Sequence, residues 1–233
     1  LAYQFDFGLV VSGEYGDWIL QGLAITLKIS AISIVLALVM GTLLCILRIT
    51  KVKPLVWIAW TYTEFFRNTP LLVQIFFWYF GSYSVLPDGV NRWLNAQDFE
   101  FSCGVIALSF YTAAFIAEDL RSGIFAIPKT QLEASRACGL SFMQAMGYVI
   151  LPQAFRIIVP PLVSQFLNLI KNSSLVMTIG VMDLTYMARQ IESHTFHGFE
   201  AFTVSTLIYL SISLIVSFSI QQYNLRVLRT ATR

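Results

Sequence analysis

Charge is scarce in this sequence: Asp, Glu, Lys and Arg together make 12% of its 233 residues. Soluble domains of this length carry about 25%. Mean hydropathy is +0.70, and apolar runs long enough to cross a bilayer recur along the chain. An integral membrane protein is expected. Cysteine is nearly lacking as well. Cys45, Cys103 and Cys138 are odd in number with no C-x-x-C spacing, and two lie in apolar runs, where they read as small buried hydrophobes. The first ten residues contain no Lys or Arg, so no cleavable signal peptide is expected. No G-x-x-x-x-G-K-[ST] occurs, which excludes a P-loop. Lys171-Asn172-Ser173-Ser174 lacks the glycines needed to stand in for one. The net charge of +2, spread along the chain, argues against nucleic acid. His194 and His197 have only Glu192 and Glu200 near them in sequence, too few for a metal site. No nucleophile–base pair stands out.

What is abundant is apolar length. The chain reads as one all-α membrane domain, residues 1–233, with five spans. They cover residues 18–47, 55–83, 101–127, 151–178 and 201–225. Trp18 suits an interfacial anchor, and Pro54 suits a helix start. The second span would be about 43 Å long at helical rise, so tilting, or a bend at Pro70, is expected. Pro87, Asp88, Gly89 and Asn91 read as turns, with a short interfacial helix near Trp93. Pro160-Pro161 should bend the fourth span.

Basic residues set the orientation. With the N-terminus outside, the inner segments hold Arg48, Lys51, Lys53, Arg121, Lys129, Arg136, Arg156, Arg226, Arg229 and Arg233. The outer segments hold only Arg92 and Arg189. Cytoplasmic loops carry such an excess. The odd span count, with no repeat by eye, argues against an internally duplicated transporter.

This orientation puts the polar stretch 128–152 in the cytoplasm. Gln131–Ala137 is helix-prone and rich in small residues. Gly139 can take positive φ and end that helix. Ser141 can cap a second one, Phe142–Val149, before Pro152. Small side chains let another backbone approach, so the stretch reads as a docking element for a soluble partner. Glu133-Ala134-Ser135, Gly139 and Val149-Ile150-Leu151-Pro152 resemble the EAA motif of ABC importer permeases. Ser135 stands for the third-position Ala and Val149 for Ile. Phe66-Arg67-Asn68-Thr69-Pro70-Leu71-Leu72, Ile127-Pro128-Lys129-Thr130-Gln131, Leu151-Pro152-Gln153-Ala154-Phe155-Arg156 and Leu169-Ile170-Lys171-Asn172-Ser173-Ser174-Leu175 resemble the polar amino acid subfamily. The segments at 64–68, 159–161 and 169–173 look most similar to one subunit of glutamate/aspartate uptake systems.

The resemblance implies a five-span, type I importer permease of a bacterial inner membrane, non-catalytic and binding no cofactor. ATP and Mg would sit on separate ATPase subunits at the cytoplasmic face. A second permease subunit, a periplasmic or surface amino acid-binding protein and membrane lipids would be its other partners. Glu133, Ala134, Ser135, Gly139, Leu140 and Met143 would receive the ATPase.

Ionisable groups at bilayer depth are costly and usually face a bundle interior. Lys28, Glu64, Arg67, Glu118, Asp119 and Lys171 are such groups. Lys28 can snorkel outward. Glu64 and Arg67, at i,i+3, can pair locally, as can Glu118 and Arg121. A glutamate or aspartate needs cationic or N–H donors for its carboxylates and an acceptor for its ammonium. Arg67, Lys171, Asn68, Thr69, Asn168 and Ser174 are the candidate donors on a substrate path. Glu64 or Glu118 would meet the ammonium. Two alternatives are a basic or amide amino acid (histidine, arginine, glutamine) as substrate, or an ion-coupled secondary transporter. A non-transporting scaffold that recruits an ATPase is a third.

Overall fold

A computed structural model describes residues 5–229, and every element among them is helical. Residues 1–4 and Arg233 lie outside the described residues, as do the side chains of Arg226 and Arg229. The helices are α1 (Phe7–Val11), α2 (Gly13–Ile49), α3 (Lys53–Arg67), α4 (Leu71–Val85), α5 (Asp88–Gln97) and α6 (Phe99–Phe125). They continue as α7 (Lys129–Ala137), α8 (Phe142–Ala145), α9 (Leu151–Asn172), α10 (Leu184–Thr195) and α11 (Gly198–Arg229). Four helical stretches are long and apolar enough to cross a membrane: Gly13–Ile49, Phe99–Phe125, Phe142–Ile179 and Gly198–Phe218. The expected second span is instead two 15-residue helices, α3 and α4, separated at residues 68–70. Pro70 has no N–H to continue α3 and disfavours helical geometry at Thr69. Pro70 then caps α4, its carbonyl accepting from Val73 and Gln74.

The first long helix sorts its faces by size rather than by polarity. Gly22, Thr26, Ser30, Ser33, Ala37, Gly41 and Cys45, at spacings of three and four, are buried. Leu20, Leu27, Val35, Val39 and Leu43 are exposed. In lipid no hydrophobic force drives helices together, so small residues that permit close backbone approach line the contacts. A Cβ added at Gly41 would lie 3.0 Å from the Ala113 carbonyl.

The chain divides into two compact units. One holds the residues up to Ile34, Pro70–Leu108 and everything from Leu167 onward. Its core gathers Val10, Ile19, Leu184, Ala188, Ile191 and Ala201. Thr26 Oγ accepts the Leu184 N–H at 3.0 Å, and Asp183 caps α10 by accepting from Tyr186 N–H at 2.9 Å. Asp183 lies between the apolar helices and is fully buried. Burial pushes its carboxyl up to about 6. This unit also carries an open pocket of about 1350 Å³, lined by Tyr79, Tyr83, Phe99, Glu100, Gln21 and Met187 among others. The other unit holds Val35–Thr69 and Ser109–Phe166. Its cores are Ile127, Ile150, Ala154 and Ile158, and Ala37, Ala113 and Ile116.

One detail of the polar stretch differs from expectation. The helix that starts at Phe142 does not stop before Pro152. It passes through a π turn, Met146–Ile150, into α9. A wider turn ahead of a proline relieves the clash of its ring with the carbonyl four residues back. Pro160 and Pro161 lie inside α9, which continues through both.

Candidate functional site

The polar stretch supplies the first candidate surface. Helix α7 ends in a Schellman motif. Gly139 takes φ +87°, the Leu140 N–H reaches Ser135 O at 3.2 Å, and the Gly139 N–H reaches Arg136 O at 3.0 Å. Ser141 then forms a capping box: its hydroxyl accepts from Gln144 N–H, and Gln144 Oε1 accepts the Ser141 N–H at 2.8 Å. The glycine stop and the serine cap stand where the sequence places them. Glu133, Ala134 and Gly139 are exposed and Leu140 is half-buried, while Met143 is 77% exposed. Ser135 is buried, and its hydroxyl bonds to Leu132 O within its own helix at 2.8 Å.

The intramembrane charges fall into three groups. On α6, Glu118 accepts from Arg48 at 2.6 Å and from Arg121, and Arg48 also reaches Thr63 Oγ at 3.2 Å. These side chains are 12% to 31% exposed. The local pairing of Glu118 with Arg121 is therefore present, and Arg48 adds a second cation from α2. Glu118 is thereby committed to two guanidiniums and is not available to an ammonium group.

The second group surrounds the break between α3 and α4. Glu64 and Arg67 make no ion pair. Glu64 accepts from Asn68 Nδ2 at 3.0 Å. Arg67 is exposed, its guanidinium 5.5 Å from the centre of the Phe115 ring. A cation over an aromatic face is attracted by the ring quadrupole yet keeps its donors open. Thr69 Oγ donates to Phe65 O at 2.8 Å. One residue beyond Glu118, Asp119 accepts from Gln165 Nε2 at 2.9 Å.

The third group belongs to the other unit. Lys171 and Asn168 are exposed on α9, and Ser174 Oγ donates to Lys171 O at 2.7 Å in the 3-10 turns that follow. Lys171 makes no ion pair among the described residues. Lys28 stands 5.1 Å from the centre of the Phe101 ring. His197 faces Glu200 at 3.1 Å and His194 meets Trp18 edge to face. Among the described residues no three His, Cys, Asp or Glu side chains gather as a metal set.

Sequence reasoning missed Arg48 as the second partner of Glu118, and Gln165 as the neighbour of Asp119. Gln165 on an apolar helix was the available signal. What it touches depends on how α6 and α9 are rotated.

Residues 33–229 match the family of binding-protein-dependent transport system inner membrane components. A Bacillus subtilis (strain 168) protein named as a probable glutamine ABC transporter permease is 41% identical over 201 residues. The match covers 86% of this chain and 89% of that protein. A glutamate/aspartate import permease of Escherichia coli (strain K12) is 36% identical over 207 residues, 87% of this chain and 84% of its own. The crystal structure of an amino acid ABC transporter with histidines contains a chain that superposes with a TM-score of 0.83 at 32% identity. That match covers 96% of this chain and 100% of the other.

Proposed function

This chain belongs to the inner membrane components of binding-protein-dependent transport systems, and on that footing we propose that it carries glutamate or aspartate through an ATP-driven importer. It is the non-catalytic membrane subunit of an amino acid ABC transporter; the ATPase is a separate chain. The observation that carries the substrate reading is the state of two cations. Arg67 and Lys171 are exposed and make no ion pair among the described residues; Arg67 ends α3 just before the apolar helix α4, and Lys171 lies near the end of a helix long and apolar enough to cross a membrane. A cation kept at that depth without a carboxylate is costly unless an anion uses it. An acidic amino acid brings two carboxylates.

The path would work by alternating access, with the N-terminus outside, the C-terminus cytoplasmic and α4 as the fifth span. A loaded binding protein docks on the outer loops of this chain and a second permease, either a related chain or another copy. Closure of the ATPase pair pushes on α7 and α8, and hydrolysis resets them. The positive-φ stop at Gly139 sets the angle between these two short helices. Gly139→Val is expected to strain that turn by about 1–2 kcal/mol while leaving the spans folded, since a Cβ there meets nothing within 4 Å. Co-purification of the ATPase subunits, or their stimulation, should fall; normal stimulation would remove the turn from the coupling role.

The decisive experiment is uptake by the reconstituted complex with its binding protein, with labelled glutamate competed by aspartate, glutamine, arginine and histidine. Preference for the acidic pair is expected. Arg67→Ala and Lys171→Ala should each lower uptake by about tenfold or more without loss of assembly. Unchanged uptake in both would end the cationic-path reading. A preference for glutamine would instead favour the amide reading, which the relative at 41% identity supports.

A further inference from the structure

Two adjacent carboxylates on α6 stand in opposite situations. Glu118 is held by two arginines. Asp119 takes one neutral hydrogen bond, from Gln165 Nε2 to Oδ2 at 2.9 Å, and its Oδ1 accepts nothing among the described residues. Asp119 lies four residues beyond Phe115, so the two share a face of the helix. The Arg67 guanidinium stands over that Phe115 ring at 5.5 Å. A guanidinium and an incompletely bonded carboxylate thus flank one turn of one helix face.

We propose that Asp119 receives the α-ammonium of the transported amino acid, opposite Arg67, which takes its α-carboxylate. The proposal rests on the importer reading above and names the acceptor that reading lacks. Glu118 is already paired with Arg48 and Arg121, and Glu64, which like Asp119 takes one amide hydrogen bond, lies on the same helix as Arg67 rather than across from it. Arg67 makes no ion pair with Asp119. A purely structural tie from α6 to Gln165 needs an acceptor, not a charge, and asparagine would serve. A charged carboxylate in an apolar helix calls for a cation, which an amino acid supplies at each passage.

The group recognised is common to all amino acids, so the site would fix the head group and leave side-chain selection to other residues. This separates its test from the substrate test. Binding of labelled L-glutamate, L-glutamine and L-arginine is measured on the detergent-solubilised complete complex without binding protein, beside their N-acetyl derivatives. The parent complex should bind at least one of the free amino acids and reject its N-acetyl form. Asp119→Asn, which keeps the Gln165 bond, should weaken binding by about tenfold or more and bring the two forms close to equal. Asp119→Glu should retain the discrimination. Co-purification of the ATPase subunits reports assembly; should the Asn variant not assemble, Asp119→Ser is read in the same way. Full discrimination in an assembled neutral variant overturns the assignment, as does its loss in Asp119→Glu. Absence of amino acid uptake by the parent complex would instead overturn the importer reading.

Discussion

Glu118→Ala should cost this permease about 3 kcal/mol of stability and lower the melting midpoint of the purified complex by about 10 °C. The reason lies in what remains. Among the described residues Glu118 alone accepts the ion pairs of Arg48 and Arg121. Without it, two partly buried guanidiniums are left close together and unneutralised. Breaking a buried pair is strongly destabilising because the surviving charge stays buried, whereas replacing every member by apolar groups of similar size is often neutral. The triple replacement Arg48→Met, Glu118→Met and Arg121→Met should therefore melt well above Glu118→Ala, although it removes more polar contacts. A Glu118→Ala midpoint within about 2 °C of the parent would mean that water already solvates both arginines.

The second large effect is expected at Gly22. A Cβ there would lie 2.8 Å from Met187 Cγ, and 2.9 Å from both Asp183 O and Leu184 Cα. Met187 can swing aside; the backbone of 183–184 cannot. Gly22→Ala must separate α2 from the start of α10 and stretch the Thr26–Leu184 hydrogen bond one turn away. Overpacking and loss of that bond together should cost about 2–4 kcal/mol. Hydrogen exchange should show the amides at the start of α10 opening first. Gly89→Ala is the control, since nothing lies within 4 Å of that position and alanine favours a helix by about 1 kcal/mol over glycine. Equal protection of α10 in Gly22→Ala and the parent would show that the contact yields without cost.

Some local features could be read residue by residue. The Gly139 stop and the Ser141 cap depend only on neighbours within a few positions, so they stand as the sequence implied. The same holds for Glu118 with Arg121, three residues apart on one helix. Glu64 with Arg67 has identical spacing and fails, because Asn68 claims the Glu64 carboxylate and the Phe115 ring claims Arg67. The first competitor is local, but Phe115 arrives from a distant helix.

By itself the sequence determined the membrane class, from its scarcity of charge and its apolar length. It also determined the family, from residues held at set spacings in short segments. These are properties of composition and of near neighbours, and no packing is needed to state them. Only the tertiary structure decided which intramembrane charges are spent and which are open. Glu118 and Asp119 are adjacent on the chain and chemically alike, yet one meets two arginines and the other a glutamine. Successive helix positions point about 100° apart, so neighbours in sequence face different helices. Which partner each meets follows from how the small-residue stripe on α2, and the glycines that admit its neighbours, let the helices close upon one another.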